Sequence, residues 1–164
     1  MTYISTGRTL LALVVGLWAM AAWADPLSDL PEDRQRQLIP VIDSDISGAE
    51  PLMRTAIQEA RAETAALLTD TNSDTKALAN AYGRLGALML LLEVETQADA
   101  CFRNAATLDP NEIRWPYYAG YLAMMVGNGT KALDYLRTAD AIAPDYKPLQ
   151  MRVGKVHLDL SELS

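Results

Sequence analysis

The chain has 164 residues and a formal net charge of -7; half of its residues are hydrophobic, and it contains one cysteine and one histidine. This acidic balance argues against nucleic acid and against anionic membrane surfaces as partners. A lone Cys101 cannot form an internal disulfide, and His157 has no Cys or His nearby in sequence with which to build a multi-histidine zinc site or a catalytic triad. The abundance of Ala and Leu predicts an all-α protein. No catalytic site, metal site or cofactor is expected.

Residues 1–24 resemble a secretory signal peptide. Arg8 supplies the positive start, an apolar run covers residues 10–20, and Ala22 and Ala24 place small residues where a signal peptidase requires them. The run is shorter than the roughly 20 residues that span a bilayer, so we predict cleavage after Ala24 and no stable membrane span afterwards. Cleavage removes Arg8 and no acid, which changes the net charge from -7 to -8. The predicted location is the periplasm or the extracellular space.

A leader rich in proline and acidic residues follows at residues 25–50. Pro31 suits the first position of a helix, so a short helix over residues 32–38 fits the sequence. The remainder is expected to be extended or loosely packed. We interpret the leader as a flexible spacer, in preference to a tether or a strand that docks on the helices after it.

Residues 51–69 predict the first long helix, with Pro51 in its first turn. One face of this helix is apolar except for Thr64; its members are Met53, Ile57, Ala60, Thr64, Leu67 and Leu68. We predict that this face caps the open end of the helices that follow. Residues 70–75 form a polar turn, in which Asp74 or Thr75 can cap the next helix.

Large and small residues form a defined pattern between residues 79 and 112. The large ones are Tyr82, Leu85 and Phe102, and the small ones are Gly86 and Ala98. Small residues let two antiparallel helices approach closely, large residues fill the space around them, and Pro110 ends the second helix because proline cannot continue one. The sequence therefore predicts a helix pair at about residues 75–91 and 95–108.

The same pattern recurs after one repeat length of about 34 residues, which is typical of helical repeats. The shift takes Leu85 to Ala119, Gly86 to Gly120, Ala98 to Ala132, Phe102 to Leu136, Ala105 to Ala139 and Pro110 to Pro144. A further shift takes Ala119 to Val153 and Gly120 to Gly154. Over residues 79–160 the chain therefore resembles the tetratricopeptide repeat family. It departs from the family at Met89, which replaces an aromatic residue, and at Pro116, which takes the place of Tyr82.

The resemblance implies an α-solenoid of antiparallel helix pairs behind an N-terminal capping helix. Repeat one covers residues 79–112, repeat two residues 113–146, and a terminal helix residues 147–164, so the helical domain comprises residues 51–164. The terminal helix either closes the array with a solvated face or begins a third repeat of a longer array. The sequence leaves both explanations open.

In this family the first helices of successive repeats line a concave groove, and the resemblance carries that groove over to particular positions. They are Asn80, Gly83, Ala87 and Leu90 in repeat one, Arg114, Tyr117, Tyr121 and Met124 in repeat two, and Met151, Arg152 and Lys155 in the terminal helix. Tyr117, Tyr121 and Met124 are four and three residues apart and share one helical face. Because aromatic and arginine side chains dominate binding hot spots, we predict a peptide ligand with an apolar anchor and an acidic or carboxylate group. Alternatively, Tyr117 and Tyr121 pack against the leader or the capping helix.

The sequence thus predicts an exported interaction module or adaptor that binds a protein or peptide of the cell envelope in this groove. The alternatives are a structural subunit that self-associates through its open end or through Cys101, and a fragment of a longer repeat array. For Cys101 itself we favour a buried packing role over pairing between chains.

Overall fold

A computed structural model of the chain describes residues 37–162, and within this range the chain is all-helical, with six α-helices and no strand. The helices are α1 (Pro51–Thr69), α2 (Thr75–Leu91), α3 (Glu95–Leu108), α4 (Arg114–Met125), α5 (Gly129–Ile142) and α6 (Lys147–Glu162). The helices predicted over residues 51–69, 75–91 and 95–108 are confirmed. The predicted signal peptide and most of the short helix predicted over residues 32–38 lie outside the described residues. None of the described helices combines the length and apolar character needed to cross a membrane.

Each helix packs against the next one along the chain, and contacts also join helices that are not consecutive. α2 touches α4, and α4 touches α6, so these three helices lie side by side. One buried core cluster joins α1, α2, α3 and α4, and a second joins α4, α5 and α6. The buried face of α1 is the apolar face predicted from the sequence, and the Thr64 hydroxyl within it donates to the Ala60 carbonyl oxygen at 2.8 Å.

Residues 38–46 are packed on the helices, so the interpretation of the leader as a flexible spacer is wrong for this part of it. Leu38 is buried, and Val41 and Ile46 pack against the first core cluster. The side-chain amide of Asn104, fully buried on α3, binds the main chain of Ile39. Residues 38–46 therefore take the docked arrangement, which was the second interpretation of the leader.

The two helix pairs, α2–α3 and α4–α5, turn in the same way. Shifting the bounds of α3 by one repeat length gives the bounds of α5. In the first turn Glu93 has φ 59°, and in the second its equivalent, Gly127, has φ 74°. The Val94 N–H donates to the Met89 carbonyl oxygen at 2.9 Å, and the equivalent bond of the second turn measures 2.8 Å. Both turns thus end their helix in the Schellman manner, whose left-handed residue is usually glycine.

Glycine brings the two helices of each pair together. A Cβ atom on Gly86 would lie 2.9 Å from the Phe102 ring, and one on Gly120 would lie 2.8 Å from the Leu136 side chain. The two large side chains are one repeat length apart, as the glycines are. A Cβ atom on Gly154, the next position in register, would meet no neighbouring atom within 4 Å. Within the described residues, therefore, no helix packs against Gly154 of α6.

The left-handed backbone of Glu93 should make glycine the more stable residue there. We expect Glu93→Gly to raise the free energy of unfolding by about 1 kcal/mol, because glycine adopts positive φ without the steric cost of a Cβ atom. Gly127→Ala should lower it by a similar amount, although the added Cβ would lie in open space. Urea unfolding of both variants measures these changes. A Glu93→Gly variant no more stable than the wild type would show that this turn is unstrained.

The three glycines in register should differ in their tolerance of alanine. Gly86→Ala is expected to lower the free energy of unfolding by about 1–3 kcal/mol, because its Cβ would overpack the core against Phe102. Gly154→Ala is the matched control and should raise it by up to about 1 kcal/mol, since alanine favours helix and the site is open. Thermal unfolding followed by circular dichroism compares the two. Equal destabilisation by both changes would contradict the register assigned to α6.

Candidate partner-binding site

The groove residues predicted from the sequence belong to α2, α4 and α6, the three helices that lie side by side. Asn80 and Arg114 meet at the boundary between α2 and α4, where Nη2 of Arg114 donates to Oδ1 of Asn80 at 2.9 Å. Both side chains are exposed. The Arg114 guanidinium also lies over the ring of Trp115, 4.5 Å from its centroid. The predicted pair of positions, one repeat length apart, is therefore brought into direct contact.

The boundary between α4 and α6 holds three half-buried side chains, Tyr117, Tyr121 and Arg152, which we call the tyrosine–arginine cluster. The Arg152 guanidinium carbon lies 4.2 Å from the ring centroid of Tyr121 and 4.9 Å from that of Tyr117. Its Nε donates to the Tyr117 hydroxyl at 2.6 Å. Two ring faces and one hydrogen bond hold the guanidinium in one orientation. The two tyrosines thus contact α6 through Arg152.

Charge pairing distinguishes Arg152 from the other two cations predicted for the groove. Arg114 pairs with Glu112 at 3.1 Å, and its hydrogen bond lowers the pKa of the Glu112 carboxyl. Lys155 pairs with Asp159, also at 3.1 Å. Between residues 37 and 161, no carboxylate lies within 4.0 Å of the Arg152 guanidinium. Of the three cations, Arg152 is therefore the one whose charge the described residues leave without an acidic partner.

The remaining predicted positions are divided between the core and solvent. Ala87, Leu90 and Met124 are half-buried, and the last two pack against the core clusters. Met151 is 77% exposed on α6. Gly83 is not open to a ligand, because it is buried beneath the ring of Trp115. Its place in the predicted groove is therefore wrong.

Three side chains near this face were not among the predicted groove positions. Tyr146 lies edge-on to Tyr117, with ring centroids 5.7 Å apart. Glu112 pairs with the arginine two residues after it. Leu158 is 64% exposed, and shifting Met124 by one repeat length would have identified it. Tyr146 precedes α6 in a loop, where helical spacing gives no signal.

Cys101 has no exposed surface, which confirms the predicted packing role. Burial raises the pKa of its thiol to about 12, and burial likewise raises the pKa of Tyr82 to about 12. Because the thiolate is the reactive form, a buried neutral thiol does not pair with another chain while the protein is folded. The position of Cys101 therefore speaks against self-association through this residue.

No protein-family model matches the chain, and no curated protein matches it. In the part of the chain that the structure describes, no three His, Cys, Asp or Glu side chains are grouped as a metal site requires. The function of the α2–α4–α6 face is thus inferred from its own residues.

Alkaline pH should destabilise the fold through Cys101 and Tyr82. Their folded pKa values of about 12 exceed their ordinary values of 9.0 and 10.0. A group whose pKa is raised by folding contributes fully to stability below its unfolded pKa. That contribution is lost as pH rises toward the folded pKa. The free energy of unfolding should therefore fall between about pH 9 and 12, by up to about 1.4 kcal/mol per pH unit for each group.

Urea unfolding at a series of pH values checks this alkaline loss. In the Cys101→Ala variant the free energy of unfolding should begin to fall nearer pH 10, which is the ordinary pKa of a tyrosine. Superimposable pH profiles for Cys101→Ala and the wild type would show that the thiol is not the group responsible.

Proposed function

We propose that this chain is an exported interaction module of the tetratricopeptide repeat type, which binds a protein or peptide through the face formed by α2, α4 and α6. The proposal rests on the surroundings of the Arg152 guanidinium. Its guanidinium is held between Tyr117 and Tyr121, and no described carboxylate lies beside it. An oriented cation without an acidic neighbour favours an anionic group from another molecule.

The arrangement of the helices supports the repeat assignment. The two helix pairs share a turn geometry at a spacing of one repeat length, and each seats a large side chain on a glycine. Their first helices lie side by side with α6. These features favour an α-solenoid whose first helices line a concave groove. Export is supported by the signal-like composition of residues 1–24.

The exposed apolar side chains of α6, together with Arg152, favour a particular class of ligand. Met151 and Leu158 are exposed on α6 and lie seven residues apart, on the same side of the helix. Methionine adapts its shape to an apolar partner, and a guanidinium binds a carboxylate through two parallel hydrogen bonds. We therefore propose a ligand that presents an acidic side chain or a terminal carboxylate beside an apolar residue.

The test compares the wild type with Arg152→Gln, which removes the cation and keeps a long polar side chain. Arg137→Gln is the matched control, because Arg137 lies on α5, is 71% exposed and pairs with Asp134. Each chain is used as bait to capture partners from a cell-envelope extract. The affinity of each chain for the captured protein is then measured. We expect Arg152→Gln to weaken binding about 10- to 100-fold, in line with about 1.5–3 kcal/mol for a hydrogen bond to a charged group. Arg137→Gln should bind as the wild type does.

Equal affinity of all three chains would exclude the tyrosine–arginine cluster from the binding surface. A chain that captures nothing, and that forms a species larger than a monomer in solution, would favour the self-associating subunit. Size-exclusion chromatography with light scattering distinguishes that outcome.

A further inference from the structure

A second built site lies between α1 and α3, where residues 38–46 are bound through their main chain. Asn104 uses both ends of its side-chain amide on Ile39: Oδ1 accepts from the N–H at 2.7 Å, and Nδ2 donates to the carbonyl oxygen at 2.8 Å. Gln97 donates to the carbonyl oxygen of Ile42 and accepts from the Ser44 hydroxyl at 3.2 Å. Two helical side chains thus bind the main chain as a neighbouring β-strand would.

The bound segment is extended, as the spacing of these contacts shows. Gln97 and Asn104 are seven residues apart on α3, which is about 10 Å along the helix axis. The leader covers that distance between Ile39 and Ile42, in three steps of about 3.3 Å, the rise of a β-strand. The site therefore accepts a chain in one particular conformation.

Recognition combines main-chain and side-chain contacts. Arg61 of α1 donates to the Ser44 carbonyl oxygen at 3.2 Å and pairs with the Asp43 carboxylate at 3.2 Å. Leu38 is the deepest residue of the segment, Val41 is half-buried, and Ile42 is 72% exposed. The site thus selects an extended backbone with apolar anchors at the places of Leu38 and Val41, a further apolar contact at Ile46, and an acidic side chain opposite Arg61.

The two amides are particular to this site and are not a feature of the repeat. Shifting Gln97 and Asn104 by one repeat length gives Lys131 and Thr138 on α5. Lys131 pairs with Asp99, and Thr138 is exposed and donates its hydroxyl within its own helix. On α3, by contrast, the amides are 6% and 0% exposed. Because buried amides require hydrogen-bond partners, these two positions are built for a bound chain.

We propose that the α1–α3 groove is a binding site for an extended segment of a partner polypeptide, and that leader residues 38–46 are its resident and displaceable ligand. The partner supplies main-chain groups at the places of Ile39, Ile42 and Ser44, and apolar side chains at those of Leu38 and Val41. The short turn at residues 47–50 tethers the leader, so its effective concentration is roughly millimolar. A partner therefore binds when its anchors fit better or when the leader is drawn away. This site shares no residue with the tyrosine–arginine cluster, so either proposal can fail alone.

The test uses the full chain and a fluorescent peptide with the sequence of residues 37–47. In the variant Leu38→Asp/Val41→Asp the leader loses two of its three apolar contacts while the groove is unchanged. We expect this variant to bind the peptide at least about tenfold more tightly than the wild type, whose tethered leader competes. A peptide carrying the same two aspartates is the control and should not bind.

The groove itself is tested in the same background. Adding Asn104→Leu should abolish peptide binding, whereas Thr138→Leu, at the equivalent exposed position of α5, should leave it intact. A folded Leu38→Asp/Val41→Asp chain that does not bind the peptide, or that binds it equally well with Asn104→Leu, would overturn the proposal.

Native-state hydrogen exchange on the wild type gives a result that does not depend on any variant folding. The Ile39 N–H donates to Asn104, so its exchange reports release of the leader. We expect it to exchange at least about 100-fold faster than the slowest amides of α3, because a displaceable leader opens without global unfolding. Exchange at the same rate as those core amides would overturn the proposal.

Discussion

The rest of the structure depends on the close contact between the two helices of each pair, where a glycine on one helix receives a large side chain from the other. Gly86 receives Phe102, and Gly120 receives Leu136. Packed interiors deform little, so these contacts fix the distance and orientation of each pair. Repetition of the contact at the same spacing brings α2 and α4 side by side, with α6 next to α4. The surfaces available for binding follow from that arrangement.

The helices were predictable because their signals are local and repeated. Small residues in phase with terminating prolines marked each pair, and the bounds of α2 and α3 agree with the prediction. The turn at Glu93 shows how far the repeat determines structure. This residue adopts the left-handed conformation that Gly127 adopts in the second pair, although its own residue type does not favour it. Position in the repeat therefore outweighs local preference here.

The leader was not predictable, because the residues that bind it give no local signal. Gln97 and Asn104 are polar residues in an amphipathic helix, where such residues ordinarily face solvent. The hydrogen bond between Ile39 and Asn104 joins residues 65 positions apart in sequence. A comparison of the repeats does contain a hint, since Lys131 and Thr138 replace the two amides on α5. That difference indicates a departure from the repeat without naming its cause.

The predicted groove positions lie on helices that touch one another, and their role in binding stays a prediction. Register placed Arg114 against Asn80 and Arg152 near Tyr117, but it did not show which cations are already paired. The pairing of Arg114 with Glu112 depends on the side-chain geometry of a residue that precedes α4. Gly83 was misplaced because Trp115 precedes the expected aromatic position by one residue, and its ring covers the glycine.

The charge of the chain imposes a constraint on any acidic ligand of this face. A protein with net charge -7 repels such a ligand at long range, but salt screens exposed charges beyond about 8 Å at physiological ionic strength. Attraction to Arg152 therefore operates at contact, where a guanidinium already oriented by two rings loses little freedom on binding. The α1–α3 groove differs, because it binds main-chain groups through two neutral amides and also pairs Arg61 with Asp43 of the leader. On these proposals, Arg152→Gln would weaken binding at the first surface and leave binding at the second unaffected, because the two surfaces share no residue.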